Sequence, residues 1–468
     1  MVASKEDGGM YNWAVSITFL AGLALRLLNL EGKSLWFDEA HAFFVANAGV
    51  EAFWQRGIEP FHPPLFFHFL QIWSAYGIDE GYLRVMPAIF TAVGVIPLYV
   101  IGRRIFNLQV GLSAALLFAL NPLVLWYSQE LRMYAQFLCF GLLSTACLVT
   151  IVTSNESKLK DWSVLLFVLS TIGLLYSHYG ALLFVYGQLL LLLICWGFGF
   201  ARFQHVWIWI FGSTISIALY LPWINSGPGS QFYSRFFSGD SISYFTPVGS
   251  EITDNLLLLR LGGALVIAIS VAFISRIRRV QKWLKGVFQA NWFRTSLLIF
   301  LVAFLLISVL PRGYTLKRHL LIYVPFLLLF VGVVWPANKQ NRVTLAILCL
   351  VSLTASLWNI YLIPKTEWEQ ISMQIVQGYA DGDQVVINPG HMHFAFDYYN
   401  AKRTPAFNPR GEEFDENLAR TRDDNGRIWY VAQPTDQNHR PEVEQAIEER
   451  FGLSNCSQYT KVKLCMYE

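Results

Sequence analysis

The stretch Tyr11–His41, YNWAVSITFLAGLALRLLNLEGKSLWFDEAH, decides how the rest of the chain is read. A membrane-crossing helix needs about 20 predominantly apolar residues, and 11–30 supplies them. The N-terminus MVASKEDGGMYNW is polar before the apolar run 13–30 begins and no small-residue cleavage site follows that run, so the segment reads as a retained first span. Directly after it come two adjacent acids, Asp38 and Glu39, between Phe37 and His41. Acids at the mouth of a span are costly and call for a reason.

The composition agrees with a multi-span membrane protein. The chain has 468 residues, 54% of them hydrophobic and only 14% charged, against roughly 25% charged in soluble domains. That excludes intrinsic disorder, a collagen-like repeat and an ordinary cytosolic enzyme. Apolar runs place candidate spans at 11–30, 85–102, 109–127, 133–153, 162–178, 180–197, 205–224, 254–275, 295–311, 319–335 and 343–363, about eleven in all. With the N-terminus inside, Arg103, Arg104, Lys158, Lys160, Arg202, Arg276, Arg278, Arg279, Lys282, Lys285, Lys339 and Arg342 fall in inner loops. The outer loops hold fewer cations, as the positive-inside bias requires. An odd number of spans then puts the C-terminal tail outside. Charge separates the two regions as well: 1–363 carries 24 Lys+Arg against 15 Asp+Glu, and 364–468 carries 11 against 17. The basic excess is topological, and nucleic acid is no expected partner.

The outer segment 31–84 contains two amphipathic pieces, AHAFFVANAGVEAFW and HPPLFFHFLQIWSAYG. Both are expected as helices in the interface plane, in contact with membrane lipid. The tail 364–468 reads as a small extracytoplasmic α/β domain: helices over TEWEQISMQIVQGYA, MHFAFDYYNA and PEVEQAIEERFG, and strands over DQVVINP, RIWYVAQP and YTKVKLCMY. A three-stranded open sheet is the expectation. Cys456 and Cys465 lie in this tail, where a disulfide is one of the open alternatives. The other four cysteines sit in apolar runs and read as small buried hydrophobes.

Three polar clusters carry candidate chemistry. The first is Trp36–His41. A carboxylate of Asp38 or Glu39 could deprotonate an acceptor as it attacks a sugar carbon, or Asp38 with His41 or His62 could hold a divalent cation. The bland alternative is an interfacial anchor. The second is Trp126-Tyr-Ser-Gln-Glu130-Leu-Arg132-Met-Tyr134, where Glu130 and Arg132 adjoin a long apolar run. A guanidinium there suits a phosphate because its planar fork binds two oxygens, and an internal ion pair is the structural alternative. The third is Arg312-Gly-Tyr-Thr-Leu-Lys317-Arg318-His319, whose outer-face cations run against the positive-inside trend and suit an anionic ligand. Arg84, at the mouth of the second span, is a further phosphate candidate. His62 could line the site. Ser177-His178-Tyr179 is read as structural. The chain has no GxxxxGK[ST], HExxH or CxxC, which argues against an ATP-driven pump, a zincin protease and a zinc ribbon.

Together these residues resemble a known family. Trp-Phe-Asp-Glu-Ala after the first span, His-Pro-Pro-Leu, Leu-Arg entering the second span, Tyr-Ser-Gln-Glu-Leu-Arg-Met-Tyr before the fourth and Lys-Arg-His-Leu-Leu before a late span are similar to motifs of the GT-C glycosyltransferases. Within these the chain resembles the bacterial protein O-mannosyltransferase and aminoarabinose transferase group, over roughly 13–363. The resemblance implies a GT-C fold on about eleven membrane helices, and transfer of a sugar from a polyprenyl-phosphate donor to a lipid, glycan or protein acceptor outside the cytoplasm. It implies that Asp38 is the base, with Glu39 and Glu130 as the accompanying acids. Arg132 and Arg318 would contact the donor phosphate; from their own positions Lys317 and Arg84 are further phosphate candidates, and His62, Tyr134 and His319 are candidates to line the site. A divalent cation is an open possibility. The competing class is a lipid or glycolipid transporter or flippase. It is disfavoured because the polar residues gather at one face rather than at the membrane midplane.

Overall fold

The structure is a computed structural model that describes residues 5–56, 62–155, 157–197, 199–231, 321–400, 406–407, 412–423, 426–436 and 438–468. It divides into two compact units, one of 1–28, 48–72 and 84–359, the other of 29–47, 73–83 and 360–468.

The first unit is helical. Its helices are α1 (Lys5–Arg26), α3 (Val50–Arg56), α4 (Leu65–Ser74), α5 (Glu80–Val93), α6 (Val95–Ile105), α7 (Leu108–Leu120), α8 (Pro122–Ser128), α9 (Tyr134–Thr153), α10 (Ser157–Leu175), α11 (Ala181–Gly197), α12 (Phe203–Ile224), α13 (Val324–Val334) and α14 (Arg342–Tyr361), with the ends of α4, α5 and α14 running into the second unit. Among the described residues, four stretches are long and apolar enough to cross a membrane: Glu80–Ile105, Tyr134–Thr153, Phe203–Ile224 and Arg342–Tyr361. The pair α7 and α8, bent by 55°, makes a fifth if counted as one span. The expectation of about eleven is larger. Among the described residues, the apolar helices at the other candidate positions are only 10–17 residues long, and 254–275 and 295–311 lie outside the described residues.

Small residues set the packing around α7. A Cβ on Gly102 would come within 2.7 Å of Gly111 Cα, and one on Gly332 within 2.9 Å of Val110 O. α6 and α13 therefore lie with their backbones nearly touching α7, a geometry that larger side chains would forbid. The C-terminus of α7 is closed by a charge. Arg26, 0% exposed, donates to Ala119 O (2.9 Å), Phe118 O (3.3 Å), Gly22 O (2.8 Å) and Thr91 Oγ1 (3.2 Å). The last carbonyls of a helix have no intrahelical donor and carry its negative dipole end, so one guanidinium ties α1, α5 and α7 together. Past the bend, Asn121 caps α8 by accepting from Leu123 N and Val124 N, both at 3.0 Å. Ser356 donates to Leu120 O (2.7 Å) and Asn359 to Pro122 O (3.1 Å).

The second unit contains α2 (Phe37–Asn47) and an α/β body: α15 (Trp368–Gly378), β1 (Gln384–Asn388), α16 (His393–Asn400), β2 (Ala406–Phe407), α17 (Glu412–Asp423), β3 (Ile428–Ala432), α18 (Pro441–Glu448), β4 (Leu453–Gln458) and β5 (Lys463–Tyr467). The sheet has five strands in the order β2-β1-β3-β5-β4, not three. β1 is parallel to β2 and β3, while β5 is antiparallel to β3 and β4. The expected strands are β1, β3 and β5; the additional β2 and β4 are edge strands. Ile428, Tyr430, Val386, Leu418, Val443, Ile447 and Tyr467 form a buried core. Cys456 faces Cys465 across the β4–β5 pair, and the two are joined by a disulfide.

The second unit also holds the segment that precedes α2. Tyr399 Oη accepts from Leu35 N (2.6 Å), Ser34 Oγ accepts from Glu369 N (3.2 Å), and Asn29 Nδ2 donates to Ile360 O (3.2 Å).

Candidate active site

Asp38 and Glu39 stand in the first turn of α2, where two carboxylates meet the positive end of the helix. The two side chains have different surroundings. Glu39 is 0% exposed; its Oε2 lies 2.9 Å from Lys365 Nζ and accepts from Trp36 N at 3.4 Å. An acid three residues into a helix that reaches back to the entering N–H is one half of a capping box. Glu39 is therefore held as a pairing and capping group, whereas Asp38 beside it is half-buried. Lys365 follows α14 and sequence reasoning missed it, because a lysine after an apolar run reads as a membrane-flank anchor.

His41 is seated among aromatic rings. Its ring meets Phe394 edge-on at 4.8 Å and lies 5.8 Å from Phe37. His62 lies in the first unit, with its ring 6.0 Å from that of His178. Among the described residues, no three His, Cys, Asp or Glu side chains converge as a metal site requires. No step below uses the divalent cation suggested for Asp38 with His41 or His62.

The Trp126–Tyr134 cluster is built at the junction of α8 and α9 in the first unit. Gln129 Nε2 donates to Arg26 O (3.1 Å) and Leu28 O (2.8 Å), fixing the end of α8. Trp126 Nε1 donates to Glu130 Oε1 at 2.8 Å, and Arg132 N donates to Glu130 O at 2.7 Å. Glu130, Arg132 and Tyr134 are all buried, as is Arg84 on α5. One turn beyond Arg132, Gln136 is 1% exposed, and neither its amide oxygen nor its nitrogen has a hydrogen-bond partner among the described residues. Such a group in a native fold calls for an explanation, and a bound oxygen-rich ligand would supply one. Sequence reasoning passed over it as part of an apolar run.

Tyr134 and His62 come together around a residue that the sequence reading had set aside. The His178 ring lies 5.9 Å from Tyr134, 5.0 Å from Phe137 and 6.0 Å from His62, and the Tyr127 and Tyr134 rings are 5.7 Å apart. Gly180 N donates to His178 Nδ1 (2.9 Å), so the proton of the neutral ring is assigned to Nε2. Lys317, Arg318 and His319 lie outside the described residues.

Residues 61–225 match the model of a family described as dolichyl-phosphate-mannose-protein mannosyltransferase. Solved structures agree in fold. The chain is similar to ArnT from Cupriavidus metallidurans in the apo state, with a TM-score of 0.60, 11% identity and 98% of each chain covered. The same protein bound to undecaprenyl phosphate gives a TM-score of 0.57 and 12% identity over 97% of this chain and 98% of that one. The oligosaccharyltransferase AglB from Archaeoglobus fulgidus, in complex with an inhibitory peptide and a dolichol-phosphate, gives 0.52 and 13% over 92% and 70%. No curated protein matches the chain. The chain thus shares its fold with these structures over nearly its whole length.

Proposed function

We propose that this protein transfers a hexosyl or pentosyl unit from a polyprenyl-phosphate donor to an acceptor on the extracytoplasmic side of the plasma membrane. The observation that carries the reading is the division of labour in the first turn of α2, in a chain with a glycosyltransferase family domain. Glu39 is paired with Lys365 and caps the helix start, and Asp38 beside it is the half-buried acid. In the reaction, an acceptor O–H attacks the anomeric carbon and Asp38 takes the proton. The bond from that carbon to the phosphate oxygen breaks, and its electron pair leaves with the polyprenyl phosphate. The new glycosidic bond completes the exchange. The leaving group is already a stabilised anion, so cations beside it matter more than a general acid. Arg84, Arg132, Lys317 and Arg318 take that role, and preorganised charges of this kind are worth about 3 kcal/mol each. The unpartnered amide of Gln136 supports a polar ligand near Arg132.

The reading takes 1–363 as the membrane domain and 364–468 as an outer domain, with the N-terminus cytoplasmic. The Cys456–Cys465 disulfide supports an outer tail, because such bonds persist in oxidising compartments.

The test in cells is mass spectrometry of lipids, glycans and proteins from a deletion strain. The reading expects one sugar-bearing species to disappear, to return with the wild-type gene and to stay absent with Asp38→Asn. Full restoration by Asp38→Asn would remove the base from the mechanism.

A further inference from the structure

The open sheet of the second unit has a topological switch. The chain leaves β1 through α16 toward β2 on one side, and leaves β3 through α18 toward β4 and β5 on the other. In open α/β sheets, the crevice outside the carboxyl ends of strands at such a point is where ligands bind. Here the crevice lies between β1 and β3, which run parallel from Gln384↔Ile428 to Asn388↔Ala432.

Its two loops are fixed to each other and carry polar groups. Asn388, 1% exposed, donates to Tyr430 Oη and Arg440 O, both at 2.8 Å, and accepts from Arg440 N at 3.2 Å. From the loop after β1, His391 Nε2 lies 3.6 Å from Asp436 Oδ2 in the loop after β3; their side chains are 31% and 20% exposed. His439 Nε2, in the second loop, is buried without a partner among the described residues. A buried asparagine thus locks the loops together beneath a partly open imidazole–carboxylate pair.

The crevice abuts α2, which belongs to the same unit. Phe37, the residue before Asp38, places its ring edge-on to His391 at 4.6 Å. Phe394, at the start of α16, lies 6.2 Å from Phe37, 4.8 Å from His41 and 5.9 Å from Phe44. Half-buried aromatic rings beside planar polar side chains are the chemistry that recognises a sugar: C–H faces pack on rings, and hydroxyls accept from an imidazole N–H and donate to a carboxylate.

We propose that the crevice at the carboxyl ends of β1 and β3, walled by His391, Asp436 and Phe37, binds a carbohydrate acceptor and presents its hydroxyl to Asp38. This deepens the proposed function and rests on it. It gives the tail the acceptor-recognition part of the reaction, adds no chemical step, and leaves the proton and the phosphate leaving group as already described.

The experiment uses the full-length protein with a set of radiolabelled polyprenyl-phosphate sugars. A dilution series of envelope extract serves as the acceptor. His391→Gln and Asp436→Asn are compared with wild type and with Ser457→Ala on the far edge strand, and an intact Cys456–Cys465 disulfide checks the fold of each. The expected result is that both crevice variants raise the extract concentration for half-maximal rate at least tenfold, by more than they lower the maximal rate. Ser457→Ala follows wild type. Periodate treatment of the extract, which cleaves vicinal diols, abolishes acceptance, whereas protease treatment does not. Two results overturn the inference while leaving the proposed function standing: Asp38-dependent transfer with an unchanged extract dependence in both crevice variants, or acceptance that survives periodate and is lost to protease. Wild-type transfer that persists in Asp38→Asn instead overturns the functional reading beneath it.

Discussion

Arg26 in the first unit and Glu39 in the second are each fully buried charges, and the two regions satisfy them in different ways. Arg26 is met mainly by helix carbonyls, Ala119 O, Phe118 O and Gly22 O, with the Thr91 hydroxyl as the fourth acceptor. Glu39 is met by the ammonium of Lys365 and by one backbone N–H. A helix bundle offers a buried cation unpaired C-terminal carbonyls and a dipole, which neutralise it without a second charge. The sheet-containing unit uses explicit ion pairs. Asp383 with Arg427 and Glu444 with Lys463 repeat the pattern there. The first arrangement depends on helix geometry, and the second on a partner 326 residues away in sequence.

The largest effect should come from breaking the long-range pair. Lys365→Met strips Glu39 of its cation, and removing one partner of a buried pair costs about 3–5 kcal/mol. Thermal unfolding of the purified protein should show this loss, and the double variant Glu39→Gln with Lys365→Met should recover most of it. A double variant no better than the single one would mean that the pair is not the unit of stability.

A smaller loss is expected from Arg26→Met. It leaves neutral carbonyls rather than a charge unsatisfied, at about 1–3 kcal/mol for each unpaired group, partly relieved by relaxation. The same unfolding measurement compares it directly with Lys365→Met. A larger loss than that of Lys365→Met would reverse the contrast drawn between the units.

The smallest effect is a pH dependence confined to the second unit. Burial pushes the Asp383 carboxyl up. Hydrogen bonds from Arg427 Nη2 (2.7 Å), Ala380 N (3.0 Å), Trp429 Nε1 (3.0 Å) and Arg427 N (2.9 Å) outweigh it, so the group sits below its ordinary value. A carboxyl lowered in the folded state contributes its stability above the free value near 4 and loses it as pH falls through the folded value. Acid unfolding of the wild type should therefore steepen below about pH 4. Arg427→Gln should lower stability at pH 7, by less than Lys365→Met does, and flatten the acid limb, because the contribution it removes is present only above the free value. An identical acid limb in the variant would remove Asp383 from the account.

Much of the architecture was legible because burial leaves a periodic record. Apolar runs marked the helices of the first unit, and Val385-Val386-Ile387 and Ile428–Ala432 marked β1 and β3. β2 escaped because two residues have no periodicity, and β4, LSNCSQ, escaped because a polar edge strand need not alternate. The acids of Trp36–His41 stood out by their position after a span. Their different surroundings did not, because Lys365 is distant in sequence and nothing local pairs it with Glu39. Gln136 and Arg26 were hidden inside apolar runs, where a single polar residue leaves the run's average almost unchanged. The aromatic seat of α2 on α16 was illegible for the same reason as Lys365: Phe37 and Phe394 look like ordinary apolar residues until the fold brings them within 6.2 Å.

The most direct measurement follows release of polyprenyl phosphate and appearance of labelled glycan from a radiolabelled polyprenyl-phosphate sugar, with purified wild type and Asp38→Asn side by side. A positioned general base contributes on the order of 10²–10⁴ in rate. The account predicts stoichiometric release and transfer by the wild type and a loss of that size in Asp38→Asn. Equal rates for the two proteins, or movement of the intact lipid-linked sugar across the bilayer with no bond broken, would contradict it.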